Sequence, residues 1–240
     1  MSIQDLAISG CKLVRDDSRC HVHMAMKLLS IQVGLPREVQ WQGRTVTTGI
    51  FKERVEGPVM LRTLNLEGDA QADLTVHGGV DKAVYAYPIE HYEYWRREFP
   101  GMELPPGTFG ENFTIEGLLE TEVNIGDRFR IGATEVMATS PRLPCYKLGI
   151  KFGRPDIIKR LLNTKRTGFY FSVLREGEVQ AGDKIERLDR DETAVSVDEV
   201  AQLYTTKNPV MLQKAINTEF LPESWRGYFQ HQLDKLNSRS

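Results

Sequence analysis

The chain has 240 residues, of which 40% are hydrophobic and 27% charged, and its formal net charge is −2. This composition is typical of a globular protein with a sizeable core, and without a basic excess it does not indicate nucleic-acid binding. No apolar run is long enough to span a membrane, residues 1–25 lack the order of a secretory signal, and three unevenly spaced cysteines make no disulfide framework. We therefore expect a cytoplasmic protein that binds neither nucleic acid nor membrane.

Residues 1–25 show no sustained hydrophobic period. They contain Cys11, Cys20, His21 and His23, a set that could bind zinc, although its spacing matches none of the common zinc patterns. We interpret this part as an N-terminal extension that is either disordered or the product of a misassigned start site.

Residues 26–188 are dominated by short apolar segments, separated by Gly, Asp and Asn turns, which predicts β-strands. The predicted strands are 26–33, 59–64, 83–87, 113–115, 128–131, 135–139 and 169–174. Two helices are expected among them, one starting at Pro88 and one at Pro155. Many short strands with few helices favour a mainly β domain over 26–188, a closed or nearly closed barrel rather than a parallel α/β sheet.

After residue 188 the pattern becomes helical. Ser196 and Glu199 fit a capping box, and helices are predicted at 197–206, 209–217 and 223–236. We interpret residues 189–240 as a three-helix module that serves packing or oligomerisation.

Cys145 is the most informative residue of the chain. Pro141 and Pro144 stiffen the segment before it, and Arg142 and Lys147 flank it with positive charge. A cationic neighbourhood favours the thiolate, which is both a nucleophile and a ligand for soft metals. The alternative is that Cys145 is a small buried hydrophobic residue.

Other candidate site residues lie in loops. His77 precedes a Gly-Gly pair and Lys82, and the two glycines allow backbone amides to approach an anion closely. Asn112 is the best ligand-facing candidate of the glycine-rich loop 107–113. Lys52 adds a further cation. Each could instead be an ordinary polar surface residue.

Taken in order, these motifs resemble those of the MOSC superfamily, named for the C-terminal domain of molybdenum cofactor sulfurase, and more narrowly those of bacterial 6-N-hydroxylaminopurine resistance proteins. The resemblance runs from about residue 26 to the C terminus. The segments that carry it are 51–52, 66–69, 71–73, 76–79, 81–83, 87–88, 109–112, 141–148 and 167–170.

The resemblance implies a β-barrel whose pocket binds the molybdenum cofactor, a pterin with a dithiolene and a phosphate, in a homodimer. The superfamily is also associated with pyridoxal phosphate binding. Cys145 would be the protein ligand to molybdenum, and a thiolate suits a metal that already has sulfur ligands. His77 would be the second catalytic residue, as a proton donor. The residues expected to bind the cofactor are Lys52, Lys82, Asn112, Arg142 and Lys147.

The resemblance also implies the reduction of N-hydroxylated compounds, such as 6-N-hydroxylaminopurine, to amines in a detoxification role. The sequence has no flavin or nicotinamide fingerprint, so electrons would come from an external NAD(P)H-dependent flavoprotein reductase. Two alternatives stay open. Cys145 could hold a persulfide in a sulfur carrier or cofactor-handling protein, or Cys145 and His77 could form a hydrolase.

Overall fold

The computed structural model describes residues 25–72 and 78–238. The strands are β1 Lys27–Val33, β2 Arg37–Trp41, β3 Arg44–Thr48, β4 Glu53–Val55, β5 Val59–Leu61, β6 Val84–Pro88, β7 Phe113–Glu116, β8 Arg128–Ile131, β9 Thr134–Pro141, β10 Phe169–Arg175, β11 Gly177–Val179 and β12 Ile185–Asp189. The α-helices are α1 Glu90–Glu98, α2 Tyr146–Phe152, α3 Ile157–Thr164, α4 Val197–Thr205, α5 Pro209–Ile216 and α6 Glu223–Asn237. The predicted mainly β class is confirmed.

Eight strands form the principal sheet, in the order β12-β8-β9-β10-β6-β7-β1-β4. β6 and β7 are parallel, and the other pairs described are antiparallel. Lys27 forms an isolated bridge with Lys184, and the Leu28 amide donates to the Asp183 carbonyl at 2.9 Å. The first strand thus meets the chain just before the last strand, but a full ladder that would close a barrel is not present among the described residues.

Two local expectations differ from the structure. Pro88 ends β6, where it pairs with Ile115, and α1 begins at Glu90 with Ile89 as its N-cap. A proline is tolerated at a strand end because its missing amide is not needed there. Helix α2, which begins directly after Cys145, was not among the helices expected.

The three C-terminal helices begin and end within one residue of the expected positions. The capping box is present: the Glu199 amide donates to Ser196 Oγ at 3.1 Å, and the Ser196 amide donates to a Glu199 carboxylate oxygen at 2.8 Å. Val200, Trp225 and Phe229 share one apolar core with the sheet. The exact division of the chain into domains stays a prediction.

A second, largely aromatic cluster packs α1, α2 and α3 against the sheet. Its centre is Phe109, which stacks on Tyr87 with ring centroids 4.4 Å apart, and the Trp95 indole donates to the Tyr87 hydroxyl at 2.7 Å. Because such a core leaves little room for movement, it holds the 107–112 loop and helix α2 in fixed positions.

None of the helices described combines the length and apolar character needed to cross a lipid bilayer. The N-terminal cysteines and histidines considered for zinc, and His77, lie outside the described residues. Within the described residues, no group of three or more His, Cys, Asp and Glu side chains is arranged to hold a metal ion.

Candidate functional site

One cavity collects side chains from loops and strands that are far apart in the sequence. All six predicted site residues that the structure describes line it: Lys52, Lys82, Asn112, Arg142, Cys145 and Lys147. Tyr85, Tyr170 and Asp69 complete its polar wall. The structure therefore brings the predicted set together, with His77 alone outside the described part of the chain.

Cys145 is half-buried and is the N-cap residue of α2, with an extended backbone at φ −114° and ψ 168°. Pro141 is the last residue of β9, and Pro144 disfavours helix at the residue before it, so the helix starts only after Cys145. The first amides of a helix carry partial positive charge. The thiol thus lies beside the unpaired backbone amides of the first turn of α2.

Arg142 is 5% exposed and lies directly in the cavity wall. Its amide donates to the Gly168 carbonyl at 3.1 Å, and its guanidinium lies 5.2 Å from the centre of the Tyr85 ring. Nη1 is buried and has no hydrogen-bond partner. Burial alone would lower the pKa of Arg142, but the neighbouring Tyr85, Tyr170 and Cys145 outweigh burial and raise the pKa. The cavity wall thus holds a permanent cation with an unused donor.

Lys52 and Asp69 form an ion pair at the cavity wall, with side chains only 8% and 1% exposed. Asp69 also accepts hydrogen bonds from the Gly34 amide at 2.8 Å and from Asn112 Nδ2 at 2.9 Å. Burial lowers the pKa of Lys52, against the opposing effects of Asp69 and Glu111. A buried amine with a lowered pKa releases a proton more readily than a surface lysine does.

Asn112 lines the cavity, but its side chain is used by protein partners. Nδ2 donates to the Gln32 carbonyl at 3.2 Å as well as to Asp69, and Oδ1 accepts from the Tyr85 amide at 3.2 Å. The loop before it is folded around Glu111, whose buried carboxylate accepts from the Gly107 and Phe109 amides at 2.6 and 3.0 Å. The geometry gives Asn112 a positioning role.

Three more lysines lie in or behind the cavity. Lys147 is in the first turn of α2, and Lys82 is in a single 3₁₀ turn, Val80–Lys82, that follows Gly79 at φ 101°. Lys151 lies one helical turn after Lys147 and donates to the Ile50 carbonyl at 3.0 Å. Burial lowers the pKa of Lys151 to about 8, helped by the positive charges nearby. The cavity is therefore a strongly cationic environment.

Asp69, Tyr85 and Lys151 lie in or behind the cavity and were not predicted as site residues from the sequence. Asp69 lies in segment 66–69, which carries the family resemblance, but it was assigned no role in the site, and nothing local indicates that its carboxylate receives donors from three separate segments. Lys151 was missed together with helix α2, although Gly153, whose φ of 65° caps that helix, is a typical helix-end signal.

A sequence model of the MOSC domain matches residues 73–186. The "Uncharacterized protein YflK" of Bacillus subtilis is 42% identical over 211 residues, which cover 87% of this chain and 95% of YflK. The chain belongs to the MOSC family. "Protein YiiM" of Escherichia coli is also 42% identical, over 65% of this chain and 70% of its own length.

Solved structures agree with this assignment. The crystal structure of YiiM from Geobacillus stearothermophilus superposes with a TM-score of 0.73 at 34% identity, covering 87% of this chain and 99% of YiiM.

A fungal protein named "Reductase", from Gibberella moniliformis, is 34% identical over 69% of this chain but only 30% of its own length. Membership of the family fits a role associated with the molybdenum cofactor.

Proposed function

We propose that this MOSC protein binds the molybdenum cofactor and reduces N-hydroxylated compounds to amines, as a detoxifying enzyme. The overall reaction consumes two electrons and two protons, breaks the N–O bond, and releases water and the amine. The observation that carries the proposal is the position of Cys145 at a helix N-terminus, in a cavity lined by buried cations.

The donor set fits the cofactor. The thiolate of Cys145 suits a metal that already has sulfur ligands. The cofactor also carries a phosphate and polar pterin atoms, which can accept hydrogen bonds. Nη1 of Arg142 is buried and has no hydrogen-bond partner in the protein, so a bound ligand could supply the acceptor that it lacks. Lys82 and Lys147 add charge for the phosphate. When bound, the cofactor supplies a metal centre that accepts oxygen and exchanges two electrons.

The chain's own residues bind, orient and supply protons. Lys52 is held by Asp69 at the cavity wall, and its lowered pKa makes it a suitable donor for the proton that the leaving hydroxyl needs. His77 was expected in this role, and it stays a candidate outside the described residues. Asn112 and Asp69 keep Lys52 in place.

The electron donor is proposed to be a separate NAD(P)H-dependent flavoprotein reductase. The fungal "Reductase" supports this arrangement, because the matching region is only 30% of that protein's length and the larger remainder has no counterpart in this chain. A homodimer is also proposed, from the family resemblance.

The test is the conversion of 6-N-hydroxylaminopurine to adenine by cofactor-loaded protein with a strong chemical reductant, followed by chromatography. Wild type is expected to form adenine, Cys145→Ala to form none, and Lys52→Met to be slowed by about 10²-fold, the size of a typical general-acid contribution. Lys159→Met, at an exposed lysine of α3, is the matched control and should keep full activity.

No adenine from loaded wild-type protein would contradict the proposal for this substrate. A persulfide mass increment on Cys145 after incubation with a cysteine desulfurase, in protein that retains no molybdenum, would instead support sulfur transfer. Activity retained in Cys145→Ala would remove the thiolate from the reaction.

A further inference from the structure

The consecutive residues 166–168 support the wall of the Cys145 cavity. Their carbonyl oxygens accept, in that order, from the Tyr87 hydroxyl at 3.0 Å, the Tyr85 hydroxyl at 2.7 Å and the Arg142 amide at 3.1 Å. Tyr85 and Arg142 both line the cavity, and the Arg142 guanidinium lies 5.2 Å from the centre of the Tyr85 ring. The backbone of Arg142 and the ring beside its guanidinium therefore both depend on where residues 166–168 lie.

The side chain of Glu120 binds the same segment. Its Oε1 accepts a hydrogen bond from the Gly168 amide at 2.8 Å, and its Oε2 lies 2.7 Å from Nε2 of His91. The side chains of Glu120 and His91 are only 5% and 10% exposed. A carboxyl group is costly to bury unless its oxygens are hydrogen-bonded. Here Gly168 uses one oxygen and His91 uses the other.

Glu120 and Gly168 are themselves held in place. The Glu120 carbonyl accepts from the amide of Asp198, in the first turn of α4, at 3.1 Å, so the backbone of Glu120 is bound to the C-terminal helices. Gly168 has a φ of 65°, and a Cβ atom there would lie 2.5 Å from the Ala86 carbonyl oxygen. A path of hydrogen bonds thus runs from α4 through Glu120 and Gly168 to Arg142.

We propose that Glu120 is a positioning residue of the Cys145 cavity, held by His91. It acts by fixing Gly168, and through Gly168 it fixes Arg142. The inference rests on the proposed function and deepens it, because Arg142 is one of the residues expected to bind the cofactor. Nη1 of Arg142 is buried without a hydrogen-bond partner, and a donor that is kept for a ligand must be held by the residues around it.

The first test uses the full chain without cofactor. Hydrogen exchange, followed by mass spectrometry of peptic peptides, is compared between wild type, Glu120→Ala and Glu120→Gln. Glu120→Ala should exchange about tenfold faster in the peptides that contain Gly168 and Arg142, as expected for the loss of one hydrogen bond, and at the wild-type rate in β8. Glu120→Gln should restore the wild-type rate, because its amide oxygen can accept from Gly168 and its amide nitrogen can donate to His91.

Glu122→Ala is the matched control, since Glu122 is an exposed carboxylate in the same loop, and it should exchange as wild type does. His91→Phe keeps a ring but removes the nitrogen that contacts Glu120. It should raise exchange in the same two peptides, and it carries the test if Glu120→Ala does not fold. Unchanged exchange in these peptides, or an equal rise along the whole chain, would overturn the proposal.

The second test asks whether Glu120 acts through Arg142. Cofactor-loaded protein is dialysed, and its molybdenum content is followed by mass spectrometry in Glu120→Ala, Arg142→Met and the double variant. Each single variant should release molybdenum about tenfold faster than wild type. The double variant should release it no faster than Arg142→Met, because residues that act along one path are not additive.

A further increase in the double variant would show that Glu120 acts independently of Arg142, and it would overturn the proposal. If wild type retains no molybdenum, or if Arg142→Met releases it as wild type does, the proposed role of Arg142 in cofactor binding fails. Hydrogen exchange alone then decides whether Glu120 positions Arg142.

Discussion

Asp69 is expected to be the residue that keeps the cationic wall of the cavity assembled. Its carboxylate receives the Lys52 ammonium, the Gly34 amide and Asn112 Nδ2. Asp69→Asn keeps the shape but removes the charge, leaving Lys52 buried without its counter-ion. Loss of one partner of a buried pair costs about 3–5 kcal/mol. Lys52 could avoid an unpaired charge by losing its proton, but deprotonating a lysine of ordinary pKa at pH 7 costs a free energy in about the same range.

The variant should therefore lose about 3–5 kcal/mol of the free energy of unfolding at pH 7, and its Tm should fall by about 10 °C for a chain of this size. The deficit should shrink near pH 10, where neutral Lys52 needs no counter-ion. Urea unfolding followed by circular dichroism at both pH values measures this. Asp189→Asn, at an exposed pair with Arg128, is the control and should change little. A loss below about 1 kcal/mol at pH 7, or a loss independent of pH, would refute the reasoning.

Three further predictions concern the frame around the site. Since the pKa of Lys151 is about 8 in the folded protein against 10.5 as its ordinary value, the unfolded chain binds more protons between these values, and Lys151 should raise the free energy of unfolding there by about 3 kcal/mol; in urea titrations the rise should be smaller in Lys151→Met than in wild type, because in the variant the lowered pKa of Lys52 still contributes. Gly168→Ala should prevent stable folding, because φ is +65° and the new Cβ would lie 2.5 Å from the Ala86 carbonyl oxygen; a normal yield and melting curve would contradict this. Ser196→Ala should cost about 1 kcal/mol through loss of its cap, and unchanged urea unfolding would argue against the capping box.

Signals from neighbouring residues predicted the helices whose starts are stabilised by those same residues. Ser196, Asn208 and Pro209 start helices through side-chain caps and a fixed φ, which depend only on neighbouring residues. Six of the eight strands of the principal sheet, β1 and β6 to β10, were predicted where β-branched and aromatic residues cluster, whereas β4 and β12 were not predicted. The β2–β3 hairpin was missed, because its alternation places polar residues on an exposed face and offers only a short apolar pattern.

The sequence predicted which residues belong to the candidate site, but it did not predict the hydrogen bonds and ion pairs between them. Cys145, Arg142 and Lys147 share one segment, so their proximity follows from the sequence. The partners of Asp69 are 17, 35 and 43 residues away, and only the sheet topology brings them to one carboxylate. Asn112 was expected to face a ligand. Its hydrogen bonds to Gln32 and Tyr85 span 80 and 27 residues, so they too could not be predicted from the local sequence.

The central claim is that Cys145 holds the molybdenum cofactor in the cationic cavity. Molybdenum content by mass spectrometry, on wild type and Cys145→Ala purified from cells that make the cofactor, tests it most directly. We expect about one molybdenum per wild-type chain, from the single thiolate ligand proposed, and none in the variant. Equal molybdenum in both proteins, or none in wild type with cofactor supply verified, would contradict it.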